Sequence, residues 1–88
     1  MSTDSGIIIY GNDSCAYCAA ARMLLTRKGV KYEDVLVSKD VAKLEEMIQR
    51  SGQRSVPQIF VGDTHVGGFD ELCTLDKNGD LDELLADK

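Results

Sequence analysis

Hydrophobic positions along the chain fall in short clusters whose spacing changes from one to the next. Ile7-Ile8-Ile9-Tyr10 is a continuous apolar run between Gly6 and Gly11. An unbroken run of β-branched and aromatic residues predicts a strand buried on both faces. From Cys15 to Lys28 there is neither proline nor glycine, and Ala19-Ala20-Ala21, Arg22, Met23, Leu24 and Leu25 are good helix formers. Cys18, Ala21, Leu24 and Leu25 repeat at helical spacing and predict an inward stripe. Gly29 is expected as the C-cap, with Arg27 and Lys28 in the last turn, where cations suit the helix dipole. Lys31 to Val37 reads as a second strand, more polar and therefore nearer an edge. Strand, helix and strand in this order make a βαβ unit with a right-handed crossover.

The second half has a different pattern. Val41, Leu44 and Ile48 predict an amphipathic helix that begins near Ser38 or Asp40 and stops at Gly52. Pro57, the only proline, precedes the strand Gln58-Ile59-Phe60-Val61. Gly62-Asp63 then predicts a two-residue hairpin turn into Thr64-His65-Val66, a strand ended by Gly67-Gly68. Two short helices are expected, around Asp70 to Leu75 and from Leu81 to Leu85. Asp80 and Glu83 have capping-box spacing before the last apolar stripe. The predicted order is β-α-β-α-β-β-α-α, an α/β chain read as one domain over residues 1–88.

Composition narrows the class. Hydrophobic residues at 43% and charged residues at 28% describe a globular chain rather than a disordered one. The net charge of −5 argues against nucleic acid or an anionic membrane as partner. Met1 to Gly6 lacks a basic segment, and no stretch approaches the ~18 apolar residues of a membrane span. The expectation is a cytoplasmic protein. In a reducing compartment, a close cysteine pair points to redox chemistry or metal binding rather than to a structural disulfide.

Three cysteines leave an odd one in any disulfide framework, and their placement is more informative than their number. Cys15-Ala16-Tyr17-Cys18 lies at the predicted strand-to-helix junction. Cys15 is then outermost, at the unpaired N–H groups and positive end of the helix dipole, where a thiolate is favoured. Lowering a thiol by three pH units would require about 4 kcal/mol. The dipole supplies roughly 0.3–1 kcal/mol, so direct hydrogen bonds to the sulfur would have to provide most of the remainder. Cys15 is the expected nucleophile. Cys18, one turn deeper on the inward stripe, is the expected resolving thiol. A zinc site composed of Cys15, Cys18, His65 and Cys73 is the competing reading, weakened by the lack of a second CxxC or HxxxH.

The chain resembles the glutaredoxin family, specifically the small bacterial-type dithiol members. The likeness rests on Cys15-Ala16-Tyr17-Cys18 after a strand, on Ser55-Val56-Pro57-Gln58-Ile59-Phe60-Val61, and on His65-Val66-Gly67-Gly68-Phe69-Asp70-Glu71-Leu72. It implies a thioredoxin-like fold with a four-stranded mixed sheet flanked by helices. It also implies glutathione-dependent reduction of protein disulfides and of glutathione mixed disulfides. The glutathione-binding set carried over from the family is Tyr17, Arg54, Ser55, Val56, Pro57, Gly68, Phe69 and Asp70. Within it, Val56 before a cis Pro57 presents its backbone to the cysteinyl unit. Gly67-Gly68 permits close approach, and Phe69 and Asp70 open a helix toward the γ-glutamyl carboxylate. The Asp70 side chain is expected to pair with the γ-glutamyl ammonium, and Arg54 with the glycyl carboxylate. Implied partners are glutathione and disulfide-containing or glutathionylated proteins, acted on by a monomer.

Two positions depart from the family pattern. Ala16 stands where the commonest tetrad has proline, and Asn12 replaces the lysine usual three residues before the first cysteine. Without that lysine, the thiolate and glutathione should both be held less strongly. Family members without the proline also include proteins that bind a [2Fe-2S] cluster between two protomers through the first cysteine. The alternative function is therefore an iron–sulfur carrier using Cys15 as ligand.

The remaining candidates receive plainer readings. Cys73, near Phe69 and Leu72 on a short helix, is expected as a small buried hydrophobe. His65, the only histidine, is expected on an edge strand with a solvated or hydrogen-bonded ring. Asp76-Lys77-Asn78-Gly79-Asp80 fails as a calcium loop, since Leu81 would occupy the glycine position and Asp87 the bidentate glutamate position. Asp80, Asp82, Glu83 and Asp87 are read as a solvated C-terminal face.

Overall fold

A computed structural model describes residues 6–86. The elements, in chain order, are β1 (Ile7–Gly11), α1 (Ala16–Arg27), β2 (Glu33–Leu36), α2 (Val41–Ser51), β3 (Gln58–Val61), β4 (Thr64–Gly67), α3 (Phe69–Lys77) and α4 (Asp80–Ala86). The strands form one mixed sheet in the order β2-β1-β3-β4. β1 runs parallel to β2 and antiparallel to β3, which pairs antiparallel with β4. The fold is the expected thioredoxin-like α/β arrangement. The most apolar strand, β1, lies inside the sheet and the polar β2 lies at its edge.

Each face of the sheet has its own core. Ile7, Ile9, Ile59, Val61 and Val66 pack with Ala21, Leu24 and Leu25 of α1, Leu72 of α3, and Leu81 and Leu85 of α4. On the other face, Tyr10 and Phe60 pack edge to face at 5.8 Å above Met47 and Val37. Tyr10 is fully buried, and its hydroxyl donates to Glu46 and accepts from Arg50 at 2.8 Å. A buried phenol needs such partners.

Several boundaries differ from the sequence reading for local reasons. The second strand is shorter than residues 31–37: a 3-10 turn over Val37–Lys39 ends it and directs Val37 into the core. Asp40 caps α2, accepting from the backbone N–H groups of Ala42 and Lys43. Val41, expected on the inward stripe, is 72% exposed, and the fully buried residue of α2 is Met47. The C-cap of α1 is Lys28, with Gly29 one residue beyond it. α3 begins one residue early, at Phe69, with Gly68 as its N-cap. Asp80 is the first residue of α4 rather than the cap before it.

The chain ends of the helices are tied by charge. Lys28 bridges Asp76 of α3 at 2.5 Å and Asp82 of α4 at 2.9 Å. Asp82 is therefore paired rather than simply solvated, whereas Asp80 and Glu83 are exposed. Asp87 lies outside the described residues. Among the described residues, no helix is long and apolar enough to cross a membrane.

Candidate active site: a cysteine pair at a helix N-terminus

The hydrogen-bonded start of α1 fixes the pair. Cys15 is the N-cap, in extended backbone conformation, and its carbonyl accepts from the Ala19 N–H at 3.0 Å. Its sulfur accepts from the Cys18 N–H at 3.2 Å, a bond that a capping oxygen makes in other helices. Cys15 is half-buried and Cys18 is fully buried on the stripe with Ala21 and Leu25. Both are free thiols. Gly11, at the end of β1, provides the space behind them: a Cβ there would lie 2.8 Å from the Cys18 sulfur. The sequence marks Gly11 only as the end of a strand. Its role in admitting the sulfur depends on a contact made in three dimensions.

This geometry separates the two acidities. Partial burial works against a Cys15 thiolate. The Cys18 S–H and the backbone N–H groups of Cys18 and Tyr17 outweigh it, with the Arg22 charge behind them, and the Cys15 pKa is lowered. Cys18 goes the other way. Burial, the hydrogen bond it gives Cys15 and the Cys15 charge raise its pKa to about 11, against the opposing effect of the Asn12 N–H and Arg22.

Arg22 is the functional-site residue that the sequence reading missed. Its Nε donates to Asp34 Oδ1 of β2 at 3.0 Å, and its guanidinium also donates to the Asn12 backbone carbonyl at 3.0 Å. One turn after Cys18, it thus ties the loop before Cys15 to the edge strand and sets a cation beside the sulfurs. The spacing Cys18–Arg22 was a signal available in the sequence, but its significance depends on Asp34, which only the βαβ crossover brings near. Asn12 is half-buried, and its side-chain oxygen has no hydrogen-bond partner.

A small cleft of about 230 Å³ is lined by Tyr17, which lies between the two cysteines in the chain, and by Val56, Gly68, Phe69, Asp70 and Glu71; neither cysteine borders it. The Tyr17 ring is 62% exposed and lies 6.0 Å from that of Phe69, tilted by 38°. The Val56–Pro57 peptide is cis. Gly67 has φ +112°, and a Cβ there would press against the Glu71 side chain at 3.2 Å. Glu71 in turn accepts from the Gly68 N–H at 2.8 Å, half of a capping box whose other half glycine cannot supply. Glu71 lies in the motif His65–Leu72, where the sequence alone assigns it no role. Its place three residues after Gly68 was the available signal. Of the other residues expected to bind, Arg54 and Ser55 are exposed on the loop before Val56, and Pro57 is buried behind it. None of these three lines the cleft. A larger groove of about 730 Å³ runs along β4 between α3 and α4, and no residue of the Cys15–Cys18 segment lines it.

The alternative readings fare differently. Cys73 is exposed, contrary to expectation. α3 buries Leu72 with Phe69 and Leu75 half-buried on the same stripe, which turns Cys73 outward. His65 lies on the edge strand and its Nε2 hydrogen-bonds Gln58 Oε1 at 2.7 Å. The four residues of the zinc reading are not assembled: among the described residues, no group of three or more His, Cys, Asp and Glu side chains could hold a metal.

Comparison with known proteins agrees with the fold. The family model described as glutaredoxin matches residues 7–66. Glutaredoxin 3 of Escherichia coli K12 is 46% identical over 81 residues, covering 92% of this chain and 98% of that protein. A glutaredoxin of Neisseria meningitidis serogroup B is 48% identical over 80 residues, covering 90% of this chain and 94% of its own. Among solved structures, Brucella melitensis glutaredoxin aligns with a TM-score of 0.80 at 43% identity, covering 96% of this chain and 91% of that one. The buckwheat glutaredoxin–glutathione complex aligns at 0.85 with 26% identity, covering 93% and 77% respectively. The iron–sulfur alternative gains no support from these relatives. With a matching family model over most of its length, a CxxC pair at the start of α1 and relatives close to half identical, the chain belongs to the glutaredoxin family, whose activity is thiol–disulfide exchange.

Proposed function

We propose that the protein reduces mixed disulfides between glutathione and other proteins and, using both cysteines, protein disulfides, with glutathione as the reductant. The observation that supports this most directly is the asymmetry of the pair: a half-exposed Cys15 of lowered pKa in front of a buried Cys18 at about 11. The glutathione complex of the buckwheat relative supports the choice of co-substrate.

In the first mode, the Cys15 thiolate attacks the glutathionyl sulfur of a mixed disulfide. The old S–S bond breaks, a Cys15–glutathione bond forms, and the target leaves as a thiolate that is protonated from water. A second glutathione, as thiolate, then attacks the glutathionyl sulfur on Cys15. Oxidised glutathione leaves and Cys15 returns as thiolate. In the second mode, Cys15 attacks one sulfur of a protein disulfide; that S–S bond breaks, the other sulfur leaves as a thiolate, and a mixed disulfide of Cys15 with the protein forms. The Cys15 sulfur then has no charge and no longer receives the Cys18 S–H strongly, so two of the causes that hold the Cys18 pKa up are removed. Cys18 gives its proton to water or the released thiolate and attacks the Cys15 sulfur, forming the Cys15–Cys18 disulfide and freeing the reduced protein. Two glutathiones then reduce that disulfide to the dithiol and leave as oxidised glutathione.

In this reading the cleft receives glutathione. The Val56 backbone meets the cysteinyl unit, and Gly68 allows close approach. The Phe69 and Asp70 N–H groups at the start of α3 hold the γ-glutamyl carboxylate. The Asp70 carboxylate pairs with the ammonium, and Tyr17 flanks the sulfur. Pro57 supports Val56 from behind, while Ser55 and Arg54 sit on the outer loop, Arg54 toward the glycyl carboxylate. The protein acts as a cytoplasmic monomer on glutathionylated or disulfide-bearing proteins. Replacing Cys15 by Ser should abolish turnover of a glutathione mixed disulfide. Cys18→Ser should retain that turnover and lose reduction of protein disulfides by the dithiol route. Loss of both activities in Cys18→Ser would refute the assigned roles.

A further inference from the structure

Besides the Tyr10 phenol, Gln58 is the one buried polar side chain among the described residues, at 1% exposure. Burying an amide at the start of a central strand costs free energy unless each of its groups is paired. Here all are. Its Nε2 donates to the Ser55 carbonyl at 3.0 Å, to Ser55 Oγ at 3.2 Å and to Gln53 Oε1 at 3.2 Å. Its Oε1 accepts from His65 Nε2 at 2.7 Å, which requires the tautomer protonated on that nitrogen or the imidazolium. The His65 ring is stacked on Phe60 at 4.8 Å, so the distal end of this chain of bonds rests on the sheet core.

The loop reached by Gln58 has little else to hold it. Among the described residues, residues 53–57 make no backbone–backbone hydrogen bond in a turn, loop or cap. Their anchors are side chains: Ser51 Oγ, itself bonded to the Met47 carbonyl at the end of α2, receives the Gln53 N–H at 3.0 Å. Gln58 holds the loop from the other end. Between these anchors lies Val56, on the wall of the cleft, and the Pro57 carbonyl lies 3.5 Å from where a Gly68 Cβ would be.

We infer that Gln58 and His65 form a hydrogen-bonded strut that positions the Ser55–Pro57 segment and so sets the affinity of the cleft for glutathione. The inference rests on the glutathione reading above. Both are positioning residues, acting on the ligand only through Val56. The strut is aimed at docking and not at the thiol, so it should move KM and leave Cys15 reactivity alone.

The test compares Gln58→Met, which keeps the shape and removes the bonds, with His65→Ala, which removes only the distal end. The substrate is the mixed disulfide of glutathione and 2-mercaptoethanol. Gln58→Met should raise KM about five- to twentyfold and His65→Ala about two- to fivefold, the range expected when one or two modest hydrogen bonds are lost. kcat should stay within about twofold, as expected when only uniform binding is lost. The pH profile of Cys15 alkylation should superimpose on that of the wild type, and His65→Gln, which restores a donor, should recover part of the affinity. A saturable wild type with variants of equal KM overturns the strut alone, as does a KM change accompanied by a shifted alkylation profile. If Gln58→Met fails to fold, an unchanged KM in His65→Ala, a change on the exposed edge strand, overturns it. A wild type that does not turn over this mixed disulfide overturns the glutathione reading itself, and the strut's role with it; one that turns it over without saturating overturns the strut alone.

Discussion

The guanidinium of Arg22 donates to the backbone carbonyl of Asn12 at 3.0 Å, joining the first helix to the loop that leads into Cys15. The position that commonly carries a lysine in this family therefore bears a neutral residue clasped by a cation from elsewhere. The predicted loss of thiolate stabilisation is offset in part, because Arg22 acts on both sulfurs.

Arg22→Gln should raise the Cys15 pKa and slow iodoacetamide alkylation at neutral pH by about two- to fivefold, the size expected of one cation acting through a partly solvated site. Asn12→Lys should move the profile the other way, and the double variant should return toward the wild type. A profile that Arg22→Gln leaves in place would show that the lowered pKa comes from the hydrogen bonds to sulfur alone.

The pH dependence of stability should report Cys18. Its folded-state pKa is raised, so its contribution is complete below the unfolded value near 9 and lost as pH rises toward about 11. Two units correspond to roughly 2–3 kcal/mol. Urea denaturation of reduced wild type and of Cys18→Ala should therefore converge as pH rises from 9 to 11, while the lysine and tyrosine titrations common to both cancel. A constant difference across that window would contradict the assignment.

Gly11→Ala should couple stability to the second mode of reaction. The added methyl would lie 2.8 Å from the Cys18 sulfur and 3.3 Å from the Arg22 guanidinium, at the end of a central strand. Overpacking of this kind costs about 1–3 kcal/mol. Thermal unfolding should show that loss. Reduction of a protein disulfide should fall further than turnover of a glutathione mixed disulfide, which uses Cys15 alone. Equal losses in both assays would mean that the displaced sulfur is not the reason.

What could be read from the sequence was what depends on neighbours along the chain. The run Ile7–Tyr10, the proline-free and glycine-free stretch after Cys15, and the Gly62-Asp63 turn each depend on local spacing, and each appears as an element of the expected kind. Val41 misled because its helical spacing was right while α2 rests on the sheet through Met47, a choice fixed by the packing of Tyr10 and Phe60. Cys73 misled for a related reason: proximity to Leu72 in sequence does not put it on the buried stripe. Gln58 gave no signal and Arg22 only its spacing from Cys18, since their partners lie on other elements or are backbone carbonyls.

Lys28 gives the first helix a further property. α1 has 12 residues, which at the helical rise separates its two ends by roughly 18 Å. Its C-terminal end is engaged with Asp76 and Asp82, and fields between exposed charges fade over about 8–10 Å in physiological salt. Carboxylates around α4 can therefore be gained or lost, and the chain's overall acidity retuned for solubility or encounter with partners, while the reactive sulfur continues to respond to its own immediate neighbours.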